Sequence, residues 1–82
     1  VNSDDLRAIR DETGVPYMSL YAIRIAIRQL QRSGLKRGGV VRILESIHPN
    51  LMKNLNVDRD WNISLKKRSM IWERLKGWVD RI

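Results

Sequence analysis

The sequence has 82 residues and no cysteine. Disulfide staples and thiolate-held metals are therefore excluded. A reducing compartment, the cytoplasm with its nucleoid, is the natural expectation. No apolar run approaches the ~18 residues that a membrane span needs, and no secretory leader pattern is visible, so no membrane partner is expected. Histidine occurs once, at His48, with no carboxylate cluster beside it, so no metal site is expected. There is no internal repeat and no low-complexity tract. "KRGG" at 36–39 lacks the spacing of a phosphate-cradling loop, and no nucleophile stands with a base. Neither an enzyme nor a cofactor nor a small-molecule substrate is expected. One further lack is the most informative: no Asp or Glu occurs from Thr13 to Leu44.

What is present is positive charge. The net charge is +7 and the isoelectric point about 10.6. Residues 1–12 carry net −2, residues 13–44 net +6, and residues 45–82 net +3. Such asymmetry points to a polyanionic partner, nucleic acid before anionic membrane. With 43% apolar residues, the chain can form one small core. A single domain spanning 1–82 is expected.

Periodicity predicts an all-α bundle of four to five short helices. A first helix over 4–13 has Ser3 as its cap, Asp4 and Asp5 at its positive end, and Gly14 as its stop. A second runs over 16–32, opened by Pro16 and closed by Gly34. A connection at 35–39 follows. Val40, Ile43, Leu44 and Ile47 then recur at helical spacing. The rival reading of that region is a hairpin near 35–43, built around Gly38 and Gly39. Pro49 opens a short helix to Leu55, "NVDRDWN" reads as loop, and a last amphipathic helix covers 64–81. Its apolar stripe includes Trp72 and Trp78, which are expected in the core. Asp58 and Asp60 suit local capping better than acid–base chemistry.

On the second helix, Leu20, Ile23, Ala26, Ile27 and Leu30 fall within an arc of about 120°. Tyr17, Tyr21, Arg24, Arg28 and Arg32 cluster on another arc, nearly opposite. With no acid in reach, that second arc is read as a surface offered to nucleic acid. Tyr17, Met18, Tyr21 and Arg24, in the first turns, are the base-edge candidates. Arg28, Arg32, Lys36 and Arg37 suit phosphates. The rival reading is a solvated face whose arginine stems cover apolar surface.

The stretch "LRAIRDETGVPYMSLYAIRIAI" resembles the helix-turn-helix of bacterial and phage DNA-binding proteins, through Ile9, Gly14, Val15, Leu20 and Ile23. "AIRQLQRSGL" is similar to the end of the recognition helix in winged-helix regulators. The resemblance covers roughly residues 6–35 and departs from the family at Arg10, where a small residue is usual. It implies double-stranded DNA binding with the second helix in the major groove, as part of a transcription, recombination or replication protein. Two other partners fit the composition. An acidic protein could dock on the basic face, or the C-terminal amphipathic helix could enter a groove or form a homodimer. RNA could stack on Tyr17 and Tyr21.

Overall fold

The computed structural model describes residues 2–82. Among them are five helices and one two-stranded hairpin, so the chain is mostly helical but not all-α. The first helix, α1, spans Ser3–Thr13. Its cap is Asn2 rather than Ser3: Asn2 Oδ1 accepts from the Asp5 N–H at 2.9 Å. Gly14 ends it in the left-handed region, at φ 73°, and returns its N–H to the Arg10 carbonyl. Thr13 Oγ1 accepts the Val15 N–H at 3.1 Å, which turns Val15 inward as a buried plug between the helices.

The second helix, α2, covers Tyr17–Arg32, directly after Pro16. It is the central element, with contacts to α1, to α3 (Arg37–Ile47) and to α5 (Met70–Asp80). Ile9 of α1, Leu20, Ile23 and Ile27 of α2, Val40 and Leu44 of α3, and Trp72, Leu75 and Val79 of α5 share one core. A third helix therefore stands where the rival hairpin was placed, and Gly38 and Gly39 lie in its first turn. Pro49 opens a single-turn helix, α4, over Pro49–Met52, which stops short of Leu55.

The hairpin lies further on. Strand β1, Leu55–Val57, pairs antiparallel with β2, Ile63–Leu65, in the register Leu55↔Leu65, Asn56↔Ser64, Val57↔Ile63. Leu55, Val57 and Ile63 point into the core, and Asn56 and Ser64 point out. In the connecting loop Asp58 Oδ1 accepts from the Asp60 and Asn62 N–H groups at 2.9 and 3.0 Å, the local capping expected of it. Trp61 sits there with φ 68°, a left-handed value uncommon for a bulky residue.

The last helix begins later than the periodicity predicts. Ile63–Leu65 is strand, and 66–68 is irregular. Ser69 then caps α5 by accepting the Trp72 N–H at 3.0 Å. The reason is electrostatic and local: Lys66, Lys67 and Arg68 would oppose the positive end of a helix dipole, whereas a serine cap fits it. Trp72 is buried as expected, but Trp78 is 56% exposed and carries Arg81 over its ring, 5.4 Å from the centroid. No helix among the described residues is long and apolar enough to cross a membrane.

Candidate nucleic-acid interface

The buried arc of α2 is rotated from the one that its aliphatic residues predict. Besides Leu20, Ile23 and Ile27 it includes Tyr17, 6% exposed, and Arg24, 0% exposed. At Arg24 the cause is the end of α5, whose Asp80 carbonyl the guanidinium meets, whereas Tyr17 lies beside Leu6, Arg7 and Arg10 of α1. The last carbonyls of a helix have no partner within it, and its C-terminus attracts cations. Arg24 and Arg28 meet that need. Arg24 donates through Nη2 to the Asp80 carbonyl at 2.9 Å and through Nη1 to the Trp61 carbonyl. Arg28 donates through Nε to the Ile82 carbonyl at 3.1 Å and through Nη1 to Gln31 Oε1 at 2.7 Å.

The expected basic-aromatic face is therefore corrected. Tyr17 and Arg24 are buried, and Arg24 cannot reach a base edge without giving up the two carbonyls just described. Arg28 is half-buried, and its guanidinium is occupied. Burial lowers the pKa of Arg24, and Arg28 adds to that, while Asp80 and Asp58 partly oppose it. Burial likewise raises the Tyr17 phenol above its ordinary value, with a smaller push from Tyr21. Both shifts reflect charge kept out of water.

The other candidates do lie at the surface. Met18, Tyr21, Arg32, Lys36 and Arg37 are exposed. Arg37 spends one Nη1 hydrogen bond on the Val57 carbonyl at 3.0 Å, which ties the start of α3 to the end of β1. At the other end of α3, Glu45 shares a cleft of about 300 Å³ with Lys53 and Lys66. Side chains at both ends of α3 thus reach the neighbourhood of the hairpin. Arg42 is exposed and stands one turn before Glu45.

Many bases of the chain are unneutralised, and two of them, Lys53 and Lys66, share the cleft with Glu45. Lys36, Arg42, Lys53, Lys66, Lys67 and Arg68 are exposed, and none forms an ion pair or side-chain hydrogen bond among the described residues. The ion pairs among the described residues, Arg74–Asp5 at 2.6 Å and Lys76–Glu73 at 2.9 Å, lie on α1 and α5. The nearby acids are Glu45 in the cleft and, in the loop after Val57, Asp58 and Asp60. Sequence reasoning left out Arg42, Lys53 and the Lys66–Arg68 run as contacts. The last was visible as a basic triplet, but Lys53 joins it only through the hairpin register, which brings the Lys66 N–H to the Asn54 carbonyl at 2.9 Å.

No group of three or more metal-ligating side chains forms among the described residues. Comparison with protein-family models, with curated proteins and with solved structures returns no match.

Proposed function

We propose that the protein binds duplex DNA through the side formed by α3 and the base of the β1–β2 hairpin. Contact is chiefly with phosphates, through Lys36, Arg37, Arg42, Lys53, Lys66, Lys67 and Arg68. The observation that carries this reading is the set of exposed cations without an ion-pair partner among the described residues, two of which, Lys53 and Lys66, share a cleft with the end of α3. A surface of that kind costs self-repulsion in the free protein, and a polyanion relieves it.

The helix order supports the same reading. α2, the turn Ser33–Lys36 with Gly34 at φ 89°, and α3 have the spacing of a helix-turn-helix. In this version α3, not α2, is the outer helix. The pair α1–α2 has a comparable turn at Gly14, but Tyr17 and Arg24 of its second helix are buried, and the exposed face of that helix carries Met18, Tyr21 and Ile25 rather than a row of free bases.

Fluorescence anisotropy of a labelled duplex, titrated at several salt concentrations, tests the proposal. If about five of these bases meet phosphates, log K falls with log salt at a slope of roughly −4 to −5. An unchanged anisotropy at low salt, up to saturating protein, would rule it out.

A further inference from the structure

The solvent face of α2 is almost uncharged. Met18 is 64% exposed, Tyr21 37% and Ile25 38%, and Ala22 is exposed between them. Three of the seven large apolar side chains exposed among the described residues thus lie at i, i+3 and i+7 on one helix. A surface helix ordinarily turns charge outward, and one that is apolar all round is covered on all sides. α2 is covered on one side by its own domain and has apolar side chains left over on the other.

The charges at the two ends of this strip say what covers it. At the Met18 end, an open cleft of about 290 Å³ has Leu6, Pro16, Tyr17 and Met18 as its apolar lining and Arg7 and Arg10 as its rim. At the other end stands exposed Arg32. None of the three arginines is ion-paired among the described residues. The exposed acids of α1, Asp4 and Asp11, do not line the cleft. A second copy of the chain fits poorly. Antiparallel pairing of two α2 faces sets Arg32 against Arg7 and Arg10, and parallel pairing sets like ends together, so both oppose like charges.

We propose that the outer face of α2 docks an amphipathic helix of a partner protein that carries acidic residues at both ends. The partner's apolar side chains lie over Met18, Tyr21 and Ile25, a strip of about 10 Å along the axis, and its acids meet Arg7, Arg10 and Arg32. This is helix-to-helix-face recognition with charge setting the partner. It is independent of duplex binding by the α3 side.

The test uses the whole chain, isotope-labelled, and two helical peptides of about 18 residues. Both carry leucines at i, i+3 and i+7. One has glutamates at each end and the other lysines. The expected result is that the glutamate peptide shifts the resonances of Met18, Tyr21, Ala22 and Ile25 and binds at least about tenfold more tightly than the lysine peptide. Ile25→Glu is expected to lose binding while keeping its helical circular dichroism, since the side chain is partly exposed. Arg7→Gln with Arg10→Gln leaves the apolar strip intact and narrows the preference between the peptides. Equal binding of the two peptides, shifts confined to other elements, or a wild-type dimer in sedimentation that Ile25→Glu dissociates would each overturn the proposal.

Discussion

Arg24, in the middle of α2, donates to the carbonyl oxygen of Asp80 at the end of α5, 2.9 Å away and 56 positions along the chain. Its other terminal nitrogen reaches the Trp61 carbonyl in the hairpin loop. One fully buried guanidinium thus ties the central helix to the last helix and to the loop. Both acceptors are backbone oxygens. The Asp80 carboxylate contributes through charge alone, since its Oδ1 and Arg24 Nε are buried without hydrogen bonds among the described residues.

This arrangement makes Arg24 a stability residue. Arg24→Ala leaves two partly buried carbonyls unmatched and opens a cavity, so unfolding is expected to become easier by about 2–4 kcal/mol. Arg24→Lys keeps one donor contact but loses the fork and is expected to fall between the two. Urea titration gives these differences directly. At a temperature where Arg24→Ala remains folded, its salt slope for duplex DNA should match the wild type. A flatter slope would return Arg24 to the list of DNA contacts.

Tyr17 predicts how the fold responds to alkali. Burial raises its pKa above the ordinary 10.0. Below that value both folded and unfolded chains hold the proton, and the stability is fully present. As pH rises past it, the unfolded chain releases the proton more readily, and stability is lost through the folded pKa. Phenolate absorbance should therefore show one tyrosine titrating late, together with loss of helix. Tyr17→Phe should remove the late step, and Tyr21→Phe should leave it.

How much of this was legible in the sequence depends on whether the deciding neighbour was local. Gly14 and Gly34 stop α1 and α2 from within, so both helices stand where their periodicity puts them. The hairpin was hidden because each strand has three residues, too few to show alternation. Leu65 also continued the apolar spacing of the helix that follows. The fate of Arg24 was hidden for another reason. On a helical wheel it lies about 40° from Leu20, at the border of the apolar arc. Whether a bordering arginine leans into water or caps a distant carbonyl is decided by residues 61 and 80, which no local pattern reveals. The acid-free stretch truly marked a basic protein, but tertiary packing decided which of its bases stayed free.

The two left-handed glycines give a clean backbone test. Gly14 has φ 73° and Gly34 φ 89°, and a Cβ added at either would meet nothing within 4 Å. No steric clash is involved, so the cost of alanine is that of the left-handed backbone alone, about 1 kcal/mol each. For a domain of this size that corresponds to a melting temperature lower by roughly 4–8 °C. Asparagine, which tolerates this conformation, should cost less at either site. A loss of several kcal/mol would mean that the turns are packed more tightly than they are here.

Comparing Lys66 with Arg28 separates a free cation from an occupied one. Lys66 is exposed and unpaired beside Lys53, whereas Arg28 is half-buried and bonded to Ile82 and Gln31. If Lys66 meets a phosphate as proposed, Lys66→Gln should flatten the salt slope by about 0.9 while stability changes by less than about 0.5 kcal/mol. Arg28→Ala should do the reverse, costing about 1–2 kcal/mol of stability and leaving the slope intact. The first variant is read by anisotropy across a salt series and the second by urea titration, with both assays run on both proteins. If the two variants exchange these behaviours, the DNA-facing side is α2 after all, and the arginine contacts to α5 must open when duplex binds.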